Sequence, residues 1–234
     1  IIASVWAGWR ADAFIFGEKD KAKPFQFLFP RKKSLFLSYY PDLDYISPKP
    51  PRDITNQCRI LYAGPLTAEK GWFRVKELLE ISARENPNVE FLLDVISKDN
   101  LSEIQLLDNL RISRLGFMSF QQFCDQIVEY DLFLDLRTID FENTRCLPIK
   151  LFYYMACGRP SMYSNLSAIT SGVPDVKDCV ALVNDLNEAK DALKRYVTDS
   201  KYYQQQCAKA LNLSQTKYNW ANIKFDFMRF IDDL

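Results

Sequence analysis

Downstream of Asp53, short apolar runs of strand length alternate with amphipathic stretches, and this alternation limits the possible folds more than any other feature of the chain. The runs are Arg59 to Ala63 (RILYA), Val89 to Val95 (VEFLLDV), Ile112 to Phe117 (ISRLGF), Asp131 to Leu136 (DLFLDL), Pro160 to Tyr163 and Cys179 to Val183. Near-continuous apolar strands need cover on both faces, and parallel neighbours need crossover connections. Between the first two runs, Trp72, Val75, Leu78 and Leu79 recur at helical spacing, with Lys76, Glu77 and Glu80 on the opposite side. Phe120 to Glu129 and Lys150 to Cys157 read as two more helices. From Asn187 the chain reads as helical to its end, with a break near Ser214 to Asn219. The pattern predicts an α/β fold with a doubly wound parallel sheet, whose ligand crevice lies at the carboxyl ends of its strands.

The best internal boundary is Ser47-Pro48-Lys49-Pro50-Pro51-Arg52-Asp53, because its prolines can continue neither a helix nor a central strand. It divides the chain into residues 1–50 and 51–234. The first part reads as too short and irregular for a domain: one apolar segment, Ala13 to Phe16, then an aromatic-rich stretch from Phe25 to Tyr45. Left exposed, those rings would form an apolar patch, so they are expected to pack on the main domain or on another one.

Composition excludes several chemistries. The 234 residues contain no histidine, so Ser-His-Asp and Cys-His mechanisms and histidine-metal sites cannot be built from this chain alone. Thirty basic and thirty acidic side chains cancel, which gives no net field to hold a polyanion, and no basic stripe suggests nucleic-acid binding. The six cysteines include no C-x-x-C pair, which argues against zinc and redox motifs and fits reduced thiols in a cytoplasmic protein. No apolar run approaches the roughly 20 residues of a membrane helix.

Two loops at the expected carboxyl edge carry candidate chemistry. The first run leads into Gly64-Pro65-Leu66-Thr67-Ala68-Glu69-Lys70-Gly71 and then a helix, where unpaired N–H groups, a positive dipole end and the Lys70 charge would suit a phosphate. The fourth run ends at Leu136-Arg137, and the loop continues through Asp140, Glu142, Asn143, Thr144 and Arg145 to Leu147-Pro148-Ile149-Lys150, with Pro148 in a first-turn position. Two helix starts flanked by Lys70, Arg137, Arg145 and Lys150 would suit a diphosphate. The alternative is that Arg137 and Arg145 pair with Asp135, Asp140 or Glu142.

The run LPIKLFYYMACGRP, residues 147–160, resembles the "LPxKLFEYMAxGxPV" signature of the family-four type glycosyltransferases, GT-B enzymes that use nucleotide sugars. LYAGPLTAEKG at 61–71 resembles the family's "xVGRLxxxKG", and RLGFMSFQQFCDQIVEYDLFLDL at 114–136 is similar to its "xxGxVxxxxLxxxxxxADxxLxP". The closing segment resembles the family's last helices, with their aromatic break at Tyr218 to Trp220, so the similarity runs in order over about residues 54 to 232.

The resemblance implies a Rossmann-like, donor-binding carboxy-terminal half of a retaining GT-B glycosyltransferase, with residues 1–50 as the end of the acceptor domain plus the hinge. It implies that Lys70 binds the donor diphosphate, that Gly116-Phe117 holds the nucleobase through backbone groups, and that the amides from Cys146 and Leu147 through Ile149 cradle the distal phosphate. Gly64 and Lys150 would complete the donor site, with no cofactor and no metal. The implied partners are a UDP- or GDP-type sugar and a glycan or lipid-linked acceptor, in the cytoplasm, with any association at the inner membrane face running through the acceptor domain.

The sequence also departs from the family pattern. Pro65 stands where the family has Arg, Tyr153 where it has the Glu that binds the ribose, and Arg145 where it has a paired Glu, while Glu142 is nearby but out of register. Two alternatives follow. Either Arg145 or Arg137 replaces the missing charge, or the domain has lost donor chemistry and serves as a glycan-binding or scaffold module.

Overall fold

The computed structural model describes residues 2–101 and 104–234. Nine strands and nine α-helices are found among them. Strands β3 (Gln57–Ala63), β4 (Glu90–Ile96), β5 (Ile104–Leu107), β6 (Leu110–Arg114), β7 (Leu132–Asp135), β8 (Ser161–Ser164) and β9 (Val180–Val183) form one sheet in the order β5-β6-β4-β3-β7-β8-β9. All pairings are parallel except β5 with β6. The six parallel strands thus follow the doubly wound order 3-2-1-4-5-6, with the topological switch between β3 and β7.

Side-chain alternation sorts the core into two layers. Ile60 and Tyr62 of β3 and Leu132 and Leu134 of β7 face α3 (Trp72–Glu85), α7 (Leu186–Thr198) and α8 (Ser200–Thr216). Leu61 and Phe133, one residue out of phase, face α4 (Phe120–Ile127), α5 (Lys150–Ala156) and α6 (Ser167–Gly172). On that second face Phe133 and Tyr154 stack with centroids 3.8 Å apart.

Local chemistry sets the helix ends. Ser119 and Gln122 form a reciprocal capping box on α4, and Asp185 and Asp199 cap α7 and α8. The helical tail breaks twice, at Asp199 and at Lys217–Asn219. At the second break the Asn219 side-chain amide donates to the carbonyls of Ser214 and Gln215, while its oxygen caps the first turn of α9 (Trp220–Asp232).

The structure corrects the reading of the first fifty residues as irregular. They hold α1 (Ile2–Arg10), β1 (Ala13–Phe16), α2 (Lys19–Leu28) and β2 (Lys33–Phe36), with β1 and β2 paired in parallel. Phe14, Phe16, Phe25 and Phe29 cluster with centroids 5.6–5.7 Å apart. Farther on, Tyr40 packs on Phe152, Ile46 is buried in the large domain, and the Pro41 carbonyl accepts from the Trp220 N–H.

The proline segment itself is strapped down. Arg159, only 4% exposed, donates to the carbonyls of Tyr130, Gly158, Lys49 and Pro50 at 3.0–3.1 Å. Arg52 forms a two-pronged bond to the buried Asp131, at 2.8 and 2.6 Å.

Gly71, immediately before α3, has φ +83°, and a Cβ there would lie 2.1 Å from the Leu136 carbonyl oxygen. Gly71→Ala is therefore expected to destabilise the fold by at least about 2 kcal/mol, through backbone strain plus the clash, read as a lowered denaturant midpoint at unchanged m-value.

Candidate functional site

The switch point opens between β3 and β7, which share only two register pairs, Ile60 with Leu132 and Leu61 with Phe133. The loops leaving these strands are bound to each other. The Thr138 N–H donates to the Glu69 carbonyl at 3.0 Å, and the Arg74 guanidinium donates to the Arg137 carbonyl at 3.1 Å. Within the first loop the buried Tyr62 hydroxyl donates toward the carbonyls of Pro65 (2.6 Å) and Lys70 (3.1 Å). Lys70 Nζ reaches Glu69 at 2.5 Å and Asn143 Oδ1 at 3.3 Å.

Asp140 organises the second loop. It accepts from the N–H groups of Asn143 (2.8 Å) and Glu142 (3.0 Å) and from the Thr138 hydroxyl (2.5 Å). These bonds, the Asn143 N–H first, hold its carboxyl down to about 2. The short 3-10 turn Asn143–Arg145 follows.

Arg137 lies mostly buried and binds Asp135 through two bonds of 2.7 Å, with one Nη 3.8 Å from Cys146 Sγ. Burial opposes the guanidinium charge, but Asp135 outweighs it and the Arg137 pKa is raised. Arg145 projects into solvent over the Phe141 ring, 3.8 Å from its centroid. Glu142 is exposed at the start of the turn. Lys150 is pushed below its usual pKa by burial, with Asp135 opposing and Arg137 and Lys70 adding to the shift.

The amides before α5 are only partly available. The Cys146 N–H is taken by the Asn143 carbonyl, whereas no partner within the described residues accepts from Leu147 or Ile149. Pro148 sits one residue before the N-cap, Ile149, yet its carbonyl accepts from the Leu151 N–H and so opens the first turn.

Beside this charged cluster an open cleft of about 680 Å³ runs along the carboxyl ends of β3, β4 and β6. Gly64, Pro65, Phe117, Ile149, Lys150 and Tyr153 line it, but Lys70, Arg137 and Arg145 do not. The run 112–117 was expected to be strand throughout. It leaves the sheet at Arg114, whose guanidinium donates to the Ser97 and Lys98 carbonyls, and turns at Gly116 (φ +74°). Phe117 is exposed under Lys98 Nζ, 4.9 Å from the ring centroid. Tyr153 meets Phe120 and Phe123 edge-on at 5.8 and 6.3 Å, and burial raises its pKa.

Sequence reasoning placed Phe120 and Phe123 only on a helix and did not single out Lys98 and Asp99. The end of a parallel strand is the signal that could have found the latter pair. Among the described residues no group of three or more Cys, Asp or Glu side chains is placed to hold a metal, and no helix is long and apolar enough to cross a membrane.

No family model matches the sequence, and no curated protein does. Solved structures do. Anabaena HepE in complex with UDP-glucose aligns over 100% of this chain and 67% of its own, with TM-score 0.72 and 15% identity. Sucrose-phosphate synthase from Thermosynechococcus elongatus aligns over 99% of this chain and 60% of its own (TM-score 0.68, 14% identity). This is the fold of the carboxy-terminal half of a GT-B glycosyltransferase. The isolated C-terminal domain of the Francisella tularensis group 1 glycosyl transferase LpcC matches 76% of the chain over 98% of its own length (TM-score 0.57, 15% identity). The chain spans less than two thirds of the length of several of the solved chains that it matches, including 45% of TarM.

Because Asp140 is held below its unfolded value of 3.8, its contribution is fully present above about pH 4 and is lost as pH falls toward 2. The melting-temperature gap between the wild type and Asp140→Asn is expected to be constant from pH 5 to 8, to narrow below about pH 4 and to be largely closed near pH 2.

Proposed function

We propose that this chain is the donor-binding half of a retaining glycosyltransferase that takes a UDP- or GDP-type sugar and, together with an acceptor domain, transfers the sugar to a glycan or lipid-linked acceptor. The observation that carries this reading is an aromatic cleft of nucleoside size that is lined by Lys150 at the switch point, with Lys70 near enough to act on the Lys150 charge. HepE and the pneumococcal O-GlcNAc transferase GtfA, solved with UDP or UDP-glucose, support the choice of ligand class.

In this scheme the cleft holds the nucleoside. Lys70, Lys150 and the Leu147 and Ile149 amides meet the diphosphate. As the bond between the anomeric carbon and the diphosphate oxygen breaks, these fixed donors stabilise the leaving charge. The acceptor hydroxyl attacks from the same face and passes its proton to the departing phosphate. Removing one such donor costs about 3 kcal/mol of barrier. The chemistry needs no cofactor, no metal and no group titrating near neutrality.

Arg137 contributes differently from a free cation. Tied to Asp135, it forms a nearly neutral polar wall that keeps its orientation when ligand arrives. The scheme therefore gives the missing charge at Pro65 to Lys150 and gives no phosphate contact to Arg145, which is engaged on Phe141.

A panel of UDP, GDP, ADP and CMP tests the reading. At 100 times its Kd, one of them is expected to stabilise the fold by about 2.7 kcal/mol. No stabilisation by any would remove the donor-site assignment and leave a binding module of GT-B fold. Lys70→Ala should weaken the responding nucleotide about tenfold or more.

The pH dependence has a defined sign. The free Lys150 pKa is lowered by burial and a bound diphosphate raises it, so binding takes up a proton at alkaline pH and affinity falls as pH rises there. Calorimetry on Lys150→Arg, which stays charged, should flatten that limb.

A further inference from the structure

We infer that Asp99 recognises the ribose of the bound nucleotide, accepting hydrogen bonds from its vicinal hydroxyls, and so makes the cleft selective for ribonucleotides. The inference rests on the donor-site reading of the cleft.

A nucleoside diphosphate with its phosphates at Lys150 and its base among the rings must place the sugar between them, where two adjacent O–H donors need acceptors. Asp99 is the one carboxylate among the residues lining the cleft. It is held in place by two partners, Leu66 and Ser97. Oδ2 accepts from the Leu66 N–H at 2.6 Å and lies 3.4 Å from the Ser97 hydroxyl, and the Asp99 N–H donates to Ser97 Oγ at 3.1 Å. Ser97 is itself 4% exposed. Among the described residues Oδ1 accepts no hydrogen bond, although Asp99 is exposed and lines the cleft.

Among the other polar side chains there, the Tyr153 hydroxyl can also accept but carries no charge, and the rest are less suited. Ser119 Oγ caps the Gln122 N–H, Ser97 Oγ serves Asp99, and Lys98 and Lys150 can only donate. A carboxylate oxygen facing a diol forms charge-assisted bonds, whose loss costs more than that of neutral ones. Because the Leu66 bond fixes Asp99 to the loop after β3, the same side chain would set the ribose position relative to Lys70 farther along that loop.

The test uses calorimetric titration with UDP and GDP, each beside its 2′,3′-dideoxy counterpart, on the wild type and Asp99→Asn. Asparagine keeps an oxygen to accept the Leu66 N–H, and an unchanged melting temperature of the unliganded variant checks that the loop is intact. The wild type is expected to bind the ribonucleotide about tenfold or more tightly than the dideoxy form. Asp99→Asn should abolish most of that preference while leaving dideoxynucleotide affinity unchanged. Absence of the preference in the wild type, or its persistence in Asp99→Asn, overturns the assignment while the nucleotide reading stands. Binding of neither UDP nor GDP, in either form, overturns both.

Discussion

The close approach of the two loops at the switch point is the constraint on which the site depends. β3 and β7 pair over only two residues and then diverge, so the crevice between their carboxyl ends would be free to widen. A glycine without a side chain lets the start of α3 press against the Leu136–Arg137 backbone, and the Thr138–Glu69 and Arg74–Arg137 bonds close the gap. Lys70 is the neighbour of that glycine, so its position is inherited from a backbone contact. Its own side-chain bonds, to Glu69 and Asn143, are partly exposed and individually weak.

The charges around the crevice differ in kind. Asp135 neutralises Arg137 in a mostly buried, two-bonded pair whose main property is direction. Arg145 gains a ring and keeps its hydration. Burial penalises Lys150 as it does Arg137, but at Lys150 no partner outweighs it, so Lys150 has the most to gain from an anion. Formal charge counted along the sequence treats all three alike, although only burial and partners separate them.

Much of the fold was legible because parallel strands covered on both faces are written as solid apolar runs, and all six runs became strands. β5 was not legible: it is four residues at an antiparallel edge, where one-sided cover leaves no such run. Helix α2 was hidden by Pro24 inside it and by the aromatic residues that drew attention to packing instead of periodicity. In the site, the loops and their lysines could be found from strand ends and helix starts. The Arg137–Asp135 pairing stood there as one of two alternatives, and only the buried, two-bonded geometry selects it over a phosphate contact. Asp99 follows a strand that ended in no glycine, and only the topology makes its position meaningful.

The three prolines between residues 48 and 51 punctuate the sequence, but they do not mark a free joint. One buried guanidinium, that of Arg159, donates to five carbonyls from the approach to β8, the approach to β7 and the proline segment together, without a carboxylate partner among the described residues. Cutting the chain there would strand the Nη2 donors inside the protein. Tyr40, Pro41 and Ile46 are seated on the same body. Anyone dissecting, grafting or fusing this unit should therefore place the seam ahead of residue 40, where the ladder of β2 has ended and fewer bonds cross.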